Sequence, residues 1–342
     1  MEAVLTENPA SAGTAPGAAI ELSGLGKAYG RGEHAFAAVR ETTLSVPWGQ
    51  VIGLLGPNGA GKTTTIKMIC GLITPSTGSI TLGGYDVARQ RSHAVRQIGA
   101  VLEGSRNVYW PMSAWENLMY FGRLKGLRGS EVRPRARRLL TDLGLWERRH
   151  ETVGSYSRGM QQKVAVAAAL ITDPPIILLD EPTLGLDVEA ARTVKDWIAH
   201  LAADDGKTVV LTTHQLEVAQ ELSDRIAVIK EGEIIADLPT TELLARHAEN
   251  RYEIRVAGSL DGNVGGLPAG ARVEPDGSGT RVLLPDADSA TVYAVLDQLA
   301  AADQQLVSVA QARPSLEAVF IRLLHHAGAA PTPEAGGEGT TP

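Results

Sequence analysis

Gly56-Pro57-Asn58-Gly59-Ala60-Gly61-Lys62-Thr63 is a G-x-x-x-x-G-K-[ST] stretch, a phosphate-binding P-loop, and it decides the fold class. The apolar run Val51-Ile52-Gly53-Leu54-Leu55 leads into it as a buried strand, and Thr64 to Cys70 follows as a helix. Strand, loop and helix are the setting the motif requires; a chance Gly-rich turn with Lys-Thr would lack it. Glycines let the main chain wrap a polyphosphate, with its N–H groups turned inward at a helix N-terminus. The loop residues and Thr64 are therefore candidate phosphate ligands. Lys62 has the reach for the β- and γ-phosphates, and the Thr63 hydroxyl can ligate Mg²⁺.

Such a loop needs a second, carboxylate site for the metal. Ile176-Ile177-Leu178-Leu179-Asp180 supplies it, an aliphatic strand ending in an acid, with Pro174-Pro175 before it and Pro182 after it. An acid at the C-terminal tip of a parallel strand lies beside the ligand crevice. Asp180 is a candidate metal ligand, and Glu181 a candidate base for an attacking water. Strands also end in solvated acids by chance, but the Asp-Glu pair downstream of a P-loop favours the functional reading.

Ser157-Arg158-Gly159-Met160-Gln161 opens an Ala/Val-rich helix, Lys163 to Ile171. Thr183-Leu184-Gly185-Leu186-Asp187 follows Glu181, and His214 ends the strand Thr208 to Thr213. In this order the motifs resemble an ATP-binding-cassette (ABC) ATPase, over about residues 19 to 248: Walker A, signature, Walker B, D-loop and switch histidine. The resemblance implies an α/β fold, a P-loop NTPase cassette with a RecA-like core and an inserted helical subdomain. It also implies ATP and Mg²⁺ as ligands, and a head-to-tail pair of cassettes. In that pair Ser157 and Gly159 of one copy face the nucleotide of the other, His214 senses the γ-phosphate, and Asp187 carries the state across. Tyr29 matches the aromatic that stacks on adenine, although a lone Tyr is more often plain packing.

Two departures narrow the subfamily. The signature reads Tyr156-Ser157-Arg158-Gly159-Met160 rather than Leu-Ser-Gly-Gly-Gln. The position of the usual Q-loop glutamine, after Ile98 to Leu102, holds Glu103. With Trp115-Glu116-Asn117-Leu118 and the late Pro314-Ser315-Leu316-Glu317-Ala318-Val319-Phe320, these look like the daunorubicin-resistance type of drug-export ATPase. Glu103 is then a candidate metal contact, since a carboxylate oxygen suits a hard cation. A surface acid at a strand end is the plainer alternative.

The chain has 342 residues, 44% hydrophobic, enough for two domains. Its net charge of −7, from 32 basic and 39 acidic residues, argues against nucleic acid as a partner. The single Cys70 forms no intrachain disulfide and reads as a buried thiol. No run reaches the ~20 apolar residues of a membrane span, and Met1 to Ala19 has neither a basic nor an apolar region of a secretory signal. The expectation is a peripheral protein at the cytoplasmic face of the membrane, held there by a separate multispanning permease subunit and working as a cassette pair, with a homodimer expected. The alternative is a soluble ABC-type regulatory switch, against which Glu181 stands as a base placed for turnover.

Composition divides the chain further. Residues 1–18 and 327–342 read as disordered tails rich in Ala, Pro, Gly and Thr. From about 104 to 164 the pattern is helical, with the Arg133-Pro134-Arg135-Ala136-Arg137-Arg138 run expected on a solvated face. Residues 165 to 248 return to alternating strand and helix, hence a largely parallel sheet. From 250 to 325 a small C-terminal α+β domain is expected, with strands near 251–256, 280–284 and 305–310 and helices near 290–302 and 315–324. Between the two subdomains, Glu103 to Trp115 is the expected permease contact, with Tyr109, Trp110 and Trp115 as anchors. Trp115 fits equally well inside the helical packing.

Overall fold

A computed structural model describes residues 17–30, 35–103, 107–246, 252–260, 267–285, 287–311 and 315–326. Residues 1–16 of the expected N-terminal tail 1–18, the expected tail 327–342 and the expected domain break at 248–250 lie outside the described residues. In chain order the elements are β1 (Ile20–Tyr29), β2 (Phe36–Val46), β3 (Val51–Leu55), α1 (Lys62–Ile69), β4 (Thr77–Leu82), β5 (Tyr85–Asp86), α2 (Arg91–Arg96) and β6 (Ile98–Val101). The helical stretch follows as α3 (Ala114–Leu124), α4 (Gly129–Asp142) and α5 (Arg158–Leu170). Then come β7 (Ile176–Asp180), α6 (Val188–Ala203), β8 (Thr208–Thr212), α7 (Leu216–Leu222), β9 (Arg225–Lys230), β10 (Glu233–Pro239) and α8 (Thr240–Arg246). The last are β11 (Tyr252–Ala257), β12 (Arg272–Asp276), β13 (Gly279–Leu284), α9 (Ser289–Ala301), β14 (Leu306–Gln311) and α10 (Leu316–His326).

The chain forms two compact units, residues 1–240 with 323–342, and residues 241–322. In the first, the central sheet runs β10-β9-β3-β8-β7-β6 and is parallel except for the β9–β10 pair. β3, β8 and β7 at its centre are buried along their whole length, which is why they read as short aliphatic runs. In β7, Ile177 and Leu179 pack with the helical side, α3 to α6. Ile176 and Leu178 point the other way, to α1 and to a second, antiparallel sheet ordered β2-β1-β4-β5.

The helical side is pinned by side-chain amides. Asn117, fully buried in α3, accepts the Tyr109 N–H at 2.7 Å and donates to the Tyr109 and Ser113 carbonyls, each at 2.9 Å. Ser113 and Glu116 close a reciprocal cap at the start of α3. Trp115 packs into this core, edge-on to Trp146 at 6.0 Å, whereas Tyr109 and Trp110 remain 49% and 41% exposed. The Arg run is not simply a solvated face: Arg135 donates to the Ile171 carbonyl, and Arg137 lies 5.2 Å over the Trp146 ring.

In the second unit, β12-β13-β11-β14 form an antiparallel sheet, with α9 packed on Ile254, Val256, Val282 and Leu284. β12 was not expected from the sequence. Its Pro275 speaks against a strand, yet β12 lies at the sheet edge, where a missing N–H costs nothing.

Candidate functional site

The P-loop residues form the turn between β3 and α1. Gly61 sits at φ 107°, outside the range of other residues, and an added Cβ would lie 2.5 Å from the Ala38 carbonyl. The turn thus depends on both the freedom and the smallness of glycine. Lys62 folds back over it, donating to the Gly56 carbonyl at 2.7 Å and the Pro57 carbonyl at 3.1 Å. Burial holds its ammonium below the usual lysine range, against the pull of Glu181, Asp180 and Glu103, which favour the charged form.

A cavity of about 630 Å³ opens over this turn. It brings together Asn58 to Thr64, Tyr29, Glu103, Asp180, Glu181 and His214, most of the residues singled out from the sequence. Gly56 and Pro57 lie beneath it as the carbonyls that Lys62 contacts. Tyr29, at the end of β1, is 42% exposed, and Lys27 lies 5.2 Å from its ring centroid. Its cross-strand partner Phe36, also at the cavity, was missed from the sequence. The available signal was an aromatic seven residues beyond Tyr29, across a Gly-rich stretch.

Asp180 closes β7, almost fully buried, and its Oδ1 accepts the Thr212 hydroxyl of β8. The Glu103 N–H approaches its Oδ2 at 3.5 Å. Thr212 is another residue missed from the sequence, where it looks like an ordinary strand position. The Glu103 side chain is exposed. Glu181 follows with φ 54°, a left-handed backbone uncommon for a side chain of its size. His214 Nδ1 stands 3.0 Å from Glu181 Oε2, within ion-pair distance, but the angles are not those of a hydrogen bond, so this buried oxygen has no donor. Unsatisfied buried carboxylate oxygens are costly and cluster where a ligand or water completes them.

Thr63, Asp180 and Glu103 offer hydroxyl and carboxylate oxygens at one cavity, a donor set suited to a hard cation. Among the described residues no three His, Cys, Asp or Glu side chains form a metal cage.

Ser157, Gly159 and Asp187 stand outside this cavity. Ser157 caps α5, accepting the Met160 N–H at 3.3 Å. Gly159 faces α6 so closely that a Cβ would meet Ala190 Cβ at 2.5 Å. Asp187 caps α6 through the Ala190 N–H at 2.8 Å.

Residues 39–184 match the ABC transporter family. The ABC transporter ATP-binding protein NatA of Bacillus subtilis is 43% identical over 58% of this chain and 80% of its own length. The daunorubicin resistance ATP-binding protein DrrA3 of Streptomyces coeruleorubidus is 37% identical over 89% of this chain and 95% of its own. Among solved structures, the ATP-binding cassette MJ0796, dimeric in a post-hydrolysis state with ADP and Pi, is 30% identical. It superimposes with a TM-score of 0.59, over 65% of this chain and 98% of that one.

Proposed function

Since the chain belongs to the ABC transporter ATP-binding proteins and is an ATP hydrolase, we propose that it powers export of a drug, antibiotic or lipid-like compound through a separate transmembrane subunit. The supporting observation is one cavity that gathers the P-loop, the Asp180–Glu181 pair and His214, in a chain similar to a drug-resistance protein over 89% of its length. Among the described residues no helix is long and apolar enough to cross a membrane, so the path for the cargo would come from another chain.

In this reading Lys62 leaves the Gly56 and Pro57 carbonyls for the β- and γ-phosphates. Tyr29 stacks on the adenine, and Phe36 lies beside it. Thr63, Asp180 and Glu103 would hold Mg²⁺, which would offset phosphate charge. Glu181 takes a proton from a water as the water oxygen bonds to the γ-phosphorus. The bond to the β-bridging oxygen breaks, leaving ADP and inorganic phosphate. His214, beside Glu181, meets the γ-phosphate. A second copy closes the site with Ser157 and the N–H groups near Gly159, at a helix N-terminus suited to anions. The exposed Tyr109 and Trp110, with a groove lined by Met112, Met119, Tyr120 and Leu124 and by the charged Glu116 and Arg123, form the permease contact at the cytoplasmic face.

Glu181→Gln tests this. It keeps the hydrogen-bonding shape but loses the base, and turnover is expected to fall by about 10²–10⁴. ATP binding should persist, and an ATP-bound dimer should accumulate on size-exclusion chromatography with Mg²⁺. Wild-type turnover in this variant would remove Glu181 from the chemistry. Failure of the chain to copurify with a multispanning membrane protein would remove export.

A further inference from the structure

The signature-like stretch carries an arginine, Arg158, as the first residue of α5 after its cap Ser157. Its guanidinium lies against the loop that follows Glu181. A methyl built on Gly185 would sit 2.5 Å from Arg158 Nη1 and 3.3 Å from Cζ. Gly185 is itself left-handed, at φ 70°. Only glycine lets the guanidinium lie this close to the backbone here. Among the described residues Arg158 has no hydrogen-bond or ion-pair partner. Packing against this backbone therefore sets its position.

The loop it touches is a single connected turn. The Leu184 N–H donates to the Glu181 carbonyl at 3.2 Å and the Leu186 N–H to the Thr183 carbonyl at 3.3 Å. The Thr183 hydroxyl donates to Gln215 Oε1 at 2.8 Å, next to His214, and Asp187 anchors the far end on α6. A shift at Gly185 therefore reaches Glu181 through one residue and one hydrogen bond. Glu181 already holds a strained backbone that the turn must maintain. Arg158 also shares a cleft of about 360 Å³ with Glu103, Asp180 and Glu181, on the side away from the P-loop.

We propose that Arg158 is a positioning residue that ties the N-terminus of α5 to the Glu181–Asp187 turn. A nucleotide presented to α5 by a second copy thereby sets the placement of this chain's own Glu181. The proposal rests on the paired-cassette reading above, and it makes turnover at the two sites of a pair interdependent. The main chain of α5 receives one nucleotide while the side chain of the same residue steadies the base that acts on the other. The planar guanidinium suits this work, since it lies flat on a peptide where an ammonium cannot.

The test uses the full chain with its permease partner. Arg158→Ala is expected to leave equilibrium ATP affinity within about threefold of wild type, because Arg158 does not line the nucleotide cavity. In the Glu181→Gln background it should still give the ATP-dependent dimer. Its kcat should fall about tenfold at nearly constant KM, and the Hill coefficient for ATP should drop from about 2 toward 1. Arg158→Lys should recover only part of both losses. Gly185→Ala, which pushes the guanidinium away from the other side, should give the same phenotype, and the double variant should be no worse than either single one. Wild-type kcat and cooperativity in Arg158→Ala would overturn the proposal and leave the ATPase assignment standing. Additive losses in the double variant would also overturn it, by showing that Arg158 acts elsewhere. Absence of any ATP-dependent dimer in Glu181→Gln with Arg158 intact would instead overturn the paired-cassette reading, and this proposal with it.

Discussion

Glu103 stands where a neutral amide would place no charge, at the edge of a cavity that already holds Asp180 and Glu181. A third carboxylate near a γ-phosphate is unfavourable unless a cation lies between them. Its exchange should therefore show first in metal dependence. Glu103→Gln is expected to keep most ATPase activity while shifting the Mg²⁺ concentration for half-maximal rate, whereas Glu103→Ala loses turnover. Rate curves against Mg²⁺ for both variants decide this, and a wild-type curve for the alanine variant would return Glu103 to the surface. Cys70 is the opposite kind of residue, buried and silent. Desolvation first, then the nearby Asp180, pushes its thiol up to about 12, with Lys125 opposing. At pH 8 only about one thiol in ten thousand is ionised, so alkylation of the native protein should run about a thousandfold slower than in denaturant. The folded pKa is raised, so the stability it represents is complete below the unfolded value near 9.0 and is lost as pH climbs toward 12. Rapid labelling of native protein at pH 8 would show that the α1 packing is open.

At the scale of elements, the described residues between β6 and α3 are held by side-chain amides as well as by the burial of Val108 in the helical-side core. Asn107 clamps the N–H and C=O of Leu102, and Asn117 holds Tyr109 from beneath. Asn117→Ala leaves buried backbone groups without partners, which costs roughly 1–3 kcal/mol. A lower urea midpoint is expected, with ATP affinity kept, since Asn117 lies outside the nucleotide cavity. Export should be lost as Tyr109 and Trp110 leave their posture. An unchanged midpoint would mean that the amide network is incidental. Much of this element plan was legible in the sequence, because β3, β7 and β8 are short aliphatic runs and the P-loop announces its own strand and helix. What escaped depends on contacts between distant segments. Thr212 matters only because β8 lies beside β7, Phe36 only because β2 pairs with β1, and β12 only because its edge position forgives Pro275. Trp115 could be read either as an anchor or as packing, and its contacts with Trp146 and His150, distant in sequence, make it packing.

At the scale of the whole molecule, chemistry and accessory structure occupy different units. Every residue proposed to touch ATP or Mg²⁺ falls between Tyr29 and His214, inside the first unit, and that unit has its own two-faced core. The second unit closes a separate core between its sheet and α9, and none of its described residues lines the nucleotide cavity. A chain ending at Glu249 should therefore remain folded and bind ATP within about threefold of the full chain, a difference under ~1 kcal/mol. It gives up the 2.6 Å hydrogen bond from Lys230 to the Leu324 carbonyl inside the first unit, so a small fall in melting temperature is expected alongside intact binding. If the second unit steadies or regulates the cassette pair, the shortened chain should lose ATP-dependent dimer in the Glu181→Gln background while single-chain binding persists. Nucleotide titration and size-exclusion chromatography on the same sample separate the two effects. A shortened chain with native circular dichroism but no nucleotide binding would mean that the second unit takes part in building the site.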